Sequence, residues 1–598
     1  MENENNKIAI LEKVKKIEWF DILIFVTICM ILGGALIAFY PAIMTADSNV
    51  QWEQTQTGIY HPWHPIFHTF LEFLITRIWN SPTMIAIVQI LVFAIALTLI
   101  CKVTREKEDN IWVKIVQLAM CIVICIIPVN FLYSVTLWKD ILYSFSLLLF
   151  AYYILKGIKI DFKFKKYEYV ILAILFVCIC LIRHNGLVII GLTMLILFFH
   201  ALRKKYFKKY VCFALMFLIL LIIGKLPEKL LPIQEGNTKY TQGVFLHMTG
   251  ALLANGDITD EADLEVLNEI LDIEIWKNNY TPITHNTIIF CEDLNEEALE
   301  ENGTALKEIV MKYALQNPMT IIKHYFNLTK IIWDVRQPNL PYIGAVTNDV
   351  AESYSFETRP ISQKLYETYV QFFEWRQENK ITRLIFYTPA VQLYLSIILI
   401  AIVCKLKNNK KYLLVLVPMI FNAISLLPAI PAPDYRYQYI NMLTLCVAGI
   451  LLGTEYIRLC KDEKKGPVLL YLLFGGITTV INVVTYGVLA SIFHVNYLVS
   501  NVIAWILAVL VAYITNKLYV FDSKNKSKKE NSKEFITFLI VRILSLGIDM
   551  VVMFVGITLF AFNDILVKIL SNVIVIIANY FMSKYIVFRK KEELEEHS

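Results

Sequence analysis

The stretch that decides the fold is residues 20–40, which read FDILIFVTICMILGGALIAFY and are followed at 41–48 by PAIMTADS. About 20 consecutive apolar residues cross the hydrocarbon core of a bilayer as a helix. The stretch is too long for the apolar core of a signal peptide, so we interpret it as an uncleaved membrane anchor. Because Asp47 follows it almost at once, a carboxylate is expected at one membrane surface.

Similar apolar runs recur through most of the chain. Hydrophobic residues make up 57% of its 598 residues, and mean hydropathy is +0.56. These values exclude a soluble enzyme and predict an all-α polytopic membrane protein with about 14 transmembrane helices. The formal charge of +5 is spread over loops between the runs, which favours contact with membrane lipids and not with nucleic acid. The 11 cysteines indicate neither a disulfide framework nor a zinc cluster.

Lysine and arginine concentrate in loops that alternate along the chain with polar loops carrying the candidate catalytic and binding residues. The basic loops include residues 102–107, 156–166, 405–411 and 517–533. Such loops stay in the cytoplasm under the positive-inside rule, so we expect a protein of the cell membrane with both termini cytoplasmic. The polar clusters around Asp47, Asp140, Arg183 and Asp434 then all lie outside. The pattern predicts a site on the exterior face of the membrane.

Changes in composition divide the chain into regions. We predict a transmembrane region at residues 1–224 and 383–460, interrupted by an exterior, mostly α-helical insertion at 225–382. Residues 66–79 are expected to lie along the outer surface as an amphipathic helix. A charged linker at 461–467, which ends in Gly-Pro, separates this region from a second transmembrane domain at 468–591.

The second transmembrane domain contains an internal duplication. Residues 512–521, AYITNKLYVF, are echoed by residues 579–588, NYFMSKYIVF, and Asn482 and Asp549 occupy equivalent places upstream. Each unit crosses the membrane twice, so the two repeats share one orientation. The duplication therefore predicts a four-helix module built from two parallel helix hairpins.

Asp47 and Asp140 are the candidate catalytic residues. Asp47 can accept a proton from an attacking hydroxyl group at the membrane surface. The same sequence is also compatible with Asp47 as a helix cap or as a solvated acid in a loop. Lys139 and Asp140 lie just inside the outer end of a span, where charges are costly. They are either functional or a pair that neutralises itself.

Side chains that could hold an anionic phosphate occur at the same end of the spans: Lys139, Arg183, His184 and Arg436. Guanidinium groups bind phosphate through paired hydrogen bonds, although arginines that snorkel at span ends are common. Candidate substrate contacts are Trp52, His61, His64, Trp138, Asn185, Asp434 and Tyr435. The aromatic residues could instead form an interfacial belt, and the prolines among the histidines disfavour a helical metal site.

The chemistry that these residues suggest is transfer from a lipid-linked donor. Nucleotide sugars are cytoplasmic, so an exterior enzyme must draw on an activated sugar attached to a membrane lipid. The arginines would stabilise the departing phosphate while the carboxylate deprotonates the acceptor. The sequence contains no P-loop or Gly-rich phosphate loop, which argues against an ATP-driven pump.

Residues 1 to about 460 resemble the membrane glycosyltransferases of the GT-C class. The resemblance rests on Asp47 in the first exterior loop, the amphipathic helix beside it, the many spans and the late exterior insertion. It implies Asp47 as the catalytic base, a polyprenyl-phosphate-linked sugar as donor and, for many members, inversion at the anomeric carbon. Some members need a divalent cation, Mg²⁺ or Mn²⁺, but Ser48 follows Asp47 where the class often has a second acid, so metal dependence stays open.

Residues 467–591 resemble GtrA-like domains. The resemblance rests on Phe474-Gly475-Gly476, Asn482 and the duplicated ending that begins at Asn516-Lys517. It implies a role in moving polyprenyl-phosphate sugars across the membrane. The candidates for handling the lipid-linked sugar are Asn482, Asn516, Lys517, Arg542, Asp549 and Lys584. Hydrogen bonding between helices is the alternative role for any single asparagine.

Together these features predict a glycosyltransferase whose acceptor is an extracytoplasmic glycopolymer of the cell envelope, such as teichoic acid. Two alternatives stay open. One is a flippase or transporter of polyprenyl-phosphate sugars that makes no glycosidic bond, and the other is a non-catalytic assembly protein for envelope polymers.

Overall fold

The computed structural model describes residues 18–203, 206–234, 236, 238–336, 359–378, 380–428, 430–460, 466–487, 489, 496–521, 523, 528–555 and 574–588. Within these residues the chain is helical, as expected, and backbone pairing of the β type is limited to isolated bridges. Residues 461–465 of the expected linker and residues 589–591 of the expected second domain lie outside the described residues.

Two compact units divide the chain, Met1–Thr454 and Glu455–Ser598. The first unit begins with α1 (Trp19–Ala38), α2 (Ala46–Thr57), α3 (Ile66–Thr76), α4 (Pro82–Thr104), α5 (Ile111–Ile126), α6 (Pro128–Tyr133), α7 (Lys139–Lys159), α8 (Lys166–Ile182), α9 (Gly186–Arg203) and α10 (Phe207–Gly224). These helices precede the expected exterior insertion.

Nine helices follow within the expected insertion: α11 (Leu226–Leu230), α12 (Thr238–Thr241), α13 (Gly243–Ala254), α14 (Glu261–Ile270), α15 (Ile273–Asn279), α16 (Asn286–Ile289), α17 (Glu296–Gln316), α18 (Pro318–Leu328) and α19 (Lys330–Trp333), counted over residues 225–336. Helices α12–α18 enclose an apolar core around Leu246, Trp276 and Leu306. Asp260 and Asp272 cap α14 and α15 by accepting hydrogen bonds from backbone amides of the first turn.

The first unit ends with α20 (Gln363–Glu378), α21 (Lys380–Phe386), α22 (Pro389–Leu406), α23 (Val417–Leu426) and most of α24 (Tyr439–Leu459), with 3₁₀ turns at Lys410–Leu416 and Tyr435–Gln438. The second unit contains α25 (Gly466–Gly487), α26 (Tyr497–Thr515), α27 (Lys528–Met553) and α28 (Ile574–Val587). Helix α26 continues into a π-helical turn at Asn516–Val520, and α28 ends in one at Ser583–Val587.

Eight helices among the described residues are long and apolar enough to cross a membrane. Several of the further spans expected from the sequence are shorter in the structure. Helix α5 has 16 residues, and Pro418 lies where the apolar run at 412–427 changes from a 3₁₀ turn to the 10-residue α23. The expected total of about 14 spans and the layout of the four-helix module stay predictions.

Helix α7 lies in the centre of the first unit. Of its most apolar window 83% is buried, whereas only 11% is buried in the span at Phe207–Leu230. Phe145 of α7 stacks on Phe93 of α4 with ring centroids 4.7 Å apart. Because the outer spans keep apolar side chains on their free faces, those faces are suited to lipid.

Ion pairs hold the basic loops together at one end of the first unit. Lys102 at the end of α4 contacts Asp21 at the start of α1, with 2.7 Å between Nζ and Oδ2. Lys411 contacts Asp161 at 2.7 Å, which joins the loop after α22 to the loop after α7. The opposite ends of these helices therefore lie together at the other surface. Lys139 begins α7 there, and Asp47 follows the end of α1. Which surface faces the cytoplasm stays a prediction.

A short backbone pairing aligns the chain at that other surface. The Ile43 amide donates to the Val135 carbonyl at 2.9 Å, and the Leu137 amide donates to the Ile43 carbonyl at 3.1 Å. This pairing holds the segment after α1 against the segment before α7. It fixes the starts of α2 and α7 side by side, so the polar residues in their first turns become neighbours.

The tight turn between α8 and α9 yields a test of the fold. A Cβ atom on Gly186 would lie 1.8 Å from the Ile179 carbonyl oxygen, whereas one on Gly191 of the same helix would meet no atom within 4 Å. We expect Gly186→Ala to destabilise the protein by about 2–4 kcal/mol and Gly191→Ala to change stability by less than about 1 kcal/mol. Thermal unfolding of the detergent-solubilised variants measures the difference, and equal midpoints would contradict this description of the turn.

Candidate functional site

Three carboxylates and three cationic side chains meet at the end of the first unit that lies away from the basic loops. They are Asp47, Asp140, Asp434, Lys139, Arg183 and Arg436. Four separate segments supply them: the start of α2, the start of α7, the turn between α8 and α9, and the 3₁₀ turn before α24. Charges at the edge of a low-dielectric region need partners, and this cluster supplies one cation for each carboxylate.

Arg436 is the centre of the cluster. Its Nη1 donates to Asp47 Oδ2 at 2.8 Å, and its Nε lies 2.9 Å from Asp434 Oδ2 and 3.8 Å from Asp140 Oδ2. The guanidinium also lies 4.6 Å from the centre of the Trp138 ring, within the range of a cation–π contact. One side chain thus links all three carboxylates.

Asp47 lies in the first turn of α2, where a helix favours negative charge. Thr45 caps this helix, and the Trp138 indole donates to the Thr45 hydroxyl at 2.6 Å. Burial by itself raises the pKa of Asp47, but the charges of Arg436 and Lys139 outweigh it and hold the pKa well below its usual range. The side chain is 28% exposed, so this ionised carboxylate is within reach of a substrate.

Asp140 differs from Asp47 because its side chain is only 1% exposed. Its Oδ1 lies 3.0 Å from Arg183 Nε. The Arg183 guanidinium covers the Tyr437 ring at 4.6 Å, and its buried Nη1 has no hydrogen-bond partner among the described residues. The buried carboxylate is therefore suited to orienting Arg183, whose Nη1 is available to an anion.

Lys139 connects the cluster to the segment between α2 and α3. Its ammonium group donates to His64 Nδ1 at 3.0 Å and lies 3.8 Å from Asp47 Oδ2. Burial, helped by the positive charge of Lys139, lowers the pKa of His64 to about 3. The imidazole is therefore neutral at physiological pH, which is the form that can accept a hydrogen bond from the lysine.

Other predicted substrate contacts have different environments. The Asn185 amide donates to Ser425 at 2.9 Å and to Asn422 at 3.3 Å, at the edge of the cluster. Trp52 packs in an apolar cluster with Met44 and Leu137, so its ring face is covered and it is a poor platform for a sugar.

Three further predicted residues lie in positions that contribute little to the cluster. Tyr435 is fully buried, and its hydroxyl donates to Gln392 at 2.8 Å, so it serves packing. His61 is exposed, and its backbone amide donates to the side-chain oxygen of Gln54 in α2. His184 is exposed in the turn after α8.

The structure also brings in residues that the sequence interpretation omitted. Asn422 and Ser425 of α23 position Asn185, and Asn422 also accepts a hydrogen bond from Tyr143 at 3.2 Å. On the other side, Gln51 of α2 bonds to His68 of α3 at 2.9 Å. The sequence offers one signal for Asn422 and Ser425, because both are polar residues inside an apolar run.

The pairing of the charged groups disfavours a divalent cation in the cluster. Among the described residues, no group of three His, Cys, Asp or Glu side chains is arranged to hold a metal ion. Asp47, Asp140 and Asp434 each point to a guanidinium group instead of to one another. In this arrangement the cluster does not fit Mg²⁺ or Mn²⁺, because its negative charge is already balanced by arginine and lysine.

In the second unit, the predicted residues fall into distinct environments. Lys517 contacts Glu534 Oε1 at 2.8 Å and the Tyr513 hydroxyl at 3.2 Å, so it belongs to a buried network. Lys584 is exposed, Asn482 is half-buried and Asn516 is buried. Arg542 lies over the Phe538 ring at 4.9 Å. The side chain of Asp549 lies outside the described residues.

Comparisons with known proteins concern the second unit. Residues 470–588 match the family model described as GtrA/DPMS, transmembrane domain. Uncharacterized membrane protein YwcD of Bacillus subtilis is 44% identical over 124 residues, which are 21% of this chain and 98% of that protein. Cell wall teichoic acid glycosylation protein GtcA of Listeria monocytogenes serovar 1/2a is 40% identical over 130 residues, 22% of this chain and 90% of that protein.

The GtcA protein of Listeria innocua is also 40% identical, over 125 residues that make up 21% of this chain and 86% of that protein. No solved structure matches the chain. These matches confirm the GtrA-like interpretation of the C-terminal residues. The GT-C interpretation of residues 1 to about 460 stays a prediction.

The central position of Arg436 yields a second test. Replacing it by Gln leaves three partly or fully buried carboxylates without their shared cation, and removing one partner of a buried pair destabilises by about 3–5 kcal/mol. Arg336, which is 88% exposed and 3.8 Å from Asp334, is the matched control, since exposed pairs contribute about 0–1 kcal/mol. We expect Arg436→Gln to lower the thermal unfolding midpoint far more than Arg336→Gln. Similar midpoints would show that the cluster does not stabilise the fold.

Proposed function

Through residues 470–588 the chain belongs to the GtrA/DPMS transmembrane domain family. From this membership together with the charged cluster of the first unit, we propose that the chain is a membrane glycosyltransferase of the cell envelope. It transfers a sugar from a polyprenyl-phosphate-linked donor to an extracytoplasmic glycopolymer such as teichoic acid. The first unit makes the glycosidic bond, and the second unit holds or moves the lipid-linked sugar.

The envelope role is supported by the relatives of the second unit. Two of them are named for cell wall teichoic acid glycosylation, and this chain covers 90% and 86% of their lengths. The second unit therefore corresponds to nearly the whole of each relative. The first unit is additional, and a transferase there would use the lipid-linked sugar that the second unit handles.

The single observation that carries the transferase proposal is the balanced cluster of three carboxylates and three cations. Two of its members differ in a way that suits group transfer. Asp47 is ionised and partly exposed, whereas Arg183 has a buried Nη1 without a partner among the described residues. A base and an anion-binding donor are thus available in one place.

We propose the following sequence of bond changes. The donor phosphate binds to Arg183 and Arg436, and its oxygens replace Asp47 as the partner of Arg436. The acceptor hydroxyl oxygen attacks the anomeric carbon, and its proton passes to Asp47. The bond between the anomeric carbon and the phosphate oxygen breaks, and its electron pair leaves with the lipid phosphate. The two guanidinium groups stabilise the negative charge that develops on that phosphate.

Loss of the ion pair to Arg436 would also make Asp47 a better base. The pKa of Asp47 is held low by Arg436 and Lys139 in the unliganded arrangement. When phosphate takes over one of these cations, the pKa of the carboxylate rises towards its ordinary value, and its affinity for the acceptor proton rises with it. Asp140 and His64 act as positioning residues in this scheme, because they orient Arg183 and Lys139.

The transferase proposal is tested by Asp47→Asn, with Glu53→Gln as control. Glu53 lies on the same helix α2 but is exposed. Losing a general base lowers rates by about 10²–10⁴-fold. We expect Asp47→Asn to reduce transfer from a polyprenyl-phosphate sugar to the surface polymer by this amount, and Glu53→Gln to leave it unchanged. Chemical analysis of surface glycopolymer from cells carrying each variant measures the result, and normal glycosylation by Asp47→Asn would remove Asp47 from the mechanism.

A flippase of polyprenyl-phosphate sugars without transfer chemistry is the second candidate. It is favoured by the relatives that consist almost entirely of the second unit. The two candidates differ in proteoliposomes that contain the purified protein, a lipid-linked sugar and an acceptor. New glycosidic bonds support the transferase, whereas movement of the lipid-linked sugar without bond formation supports the flippase.

A further inference from the structure

The two repeats of the second unit share an unusual backbone feature. Each has a π-helical turn, at Asn516–Val520 and at Ser583–Val587. Asn516 and Ser583 occupy equivalent positions in the duplicated segments 512–521 and 579–588. Each turn forms the C-terminal end of its helix, a position where π turns occur. Their equivalent placement indicates that both repeats contribute the same feature to the unit.

Buried polar atoms without partners occur at these turns. Asn516, Asn579 and Ser583 are 3%, 4% and 0% exposed. Asn516 Oδ1 and Asn579 Oδ1 have no hydrogen-bond partner among the described residues. An unsatisfied buried polar group destabilises a fold by about 1–3 kcal/mol, so these two amide oxygens are suited to accepting hydrogen bonds from a ligand. Asn579 and Ser583 are one helical turn apart and share a face of α28.

A cation and a tyrosine complete the cluster. The Tyr471 hydroxyl on α25 lies beside the Arg542 guanidinium of α27 and the hydroxyl of Ser583. The Tyr471 ring also packs edge-on against Tyr580 of α28, with centroids 5.4 Å apart. Val520, in the π turn that Asn516 begins, belongs to the same apolar cluster as Tyr471. Tyr471, Arg542 and Ser583 are therefore neighbours, and Asn516 begins the turn whose Val520 packs in the same apolar cluster as Tyr471.

We propose that Asn516, Asn579, Ser583, Arg542 and Tyr471 form a binding site for the sugar-phosphate head group of a membrane lipid. The guanidinium suits a phosphate ester, while the two amide oxygens and the serine hydroxyl accept hydrogen bonds from sugar hydroxyls. The site rests on the proposed function and names where the second unit holds the donor. It lies near the helix ends that carry Lys517 and Lys584, which the positive-inside rule assigns to the cytoplasm, so the donor is collected from the cytoplasmic leaflet.

Photo-crosslinking of the full chain in detergent tests the site. The probe is a short-chain isoprenyl-phosphate sugar with a photoreactive group on the sugar, and mass spectrometry identifies the labelled peptides. We expect labelling within residues 466–588 that an unmodified isoprenyl-phosphate sugar abolishes. Competition by a free sugar 1-phosphate as well would assign the same chemistry to a soluble ligand. Equal competition by phosphatidylglycerol, or the absence of labelling in the second unit, would overturn the proposal.

Two substitutions separate a ligand site from helix packing. Asn516→Leu and Asn579→Leu remove unpartnered amide oxygens, so we expect labelling to fall by at least about tenfold while the thermal unfolding midpoint stays equal or rises. Ser545→Ala is the matched control, because this buried hydroxyl already donates to the Arg542 carbonyl at 2.8 Å. A lower midpoint with full labelling in Asn579→Leu would show a purely structural role.

The photo-crosslinking of the second unit does not depend on the transferase chemistry of the first unit. Asp47→Asn should keep the labelling of the second unit, since that residue belongs to the first unit. If transfer is absent in the wild-type protein but labelling persists, the transferase proposal fails and this site stands. If transfer occurs while residues 466–588 are never labelled, this site fails and the transferase proposal stands.

Discussion

The ion pair between Arg436 and Asp47 joins residues that are 389 positions apart, and the candidate site depends on it. The first unit consists largely of apolar helices, and apolar surfaces by themselves do not specify which helix packs against which. Charges at the helix ends supply that specificity, because an unpaired charge at the edge of a membrane is costly. Arg436 reaches Asp47, Asp434 and Asp140 at once, so the starts of α2, α7 and α24 share one corner.

Charge balance also defines what the site can bind. Three carboxylates are matched by three cations, so a metal ion would add charge that the cluster does not need, whereas a phosphate can exchange with a carboxylate. In the proposed mechanism, this exchange links binding to reactivity, since displacing Asp47 from Arg436 would free it as a base. Donor binding and acceptor activation would then be connected through one side chain.

Both units contain buried polar atoms that lack hydrogen-bond partners among the described residues. In the first unit, Arg183 Nη1 is such a donor within the charged cluster. In the second unit, the side-chain oxygens of Asn516 and Asn579 are such acceptors. In the proposed function, these atoms contact the phosphate and hydroxyl groups of a ligand. A lipid-linked sugar has both kinds of group, so the proposed substrate class suits the two units.

The sequence by itself determined the membrane class, the helical fold, the duplicated second unit and the identity of the charged residues, because polar residues at the ends of apolar runs are conspicuous. Only the tertiary structure decided which charges pair, that Trp52 and Tyr435 are covered by packing, and that Asn422 supports Asn185. It also decided that the run around Pro418 is a short helix preceded by a 3₁₀ turn. The physical reason is that hydrophobic runs specify burial in lipid or protein but not the choice of neighbour. That choice comes from side-chain packing and from ion pairs between distant segments.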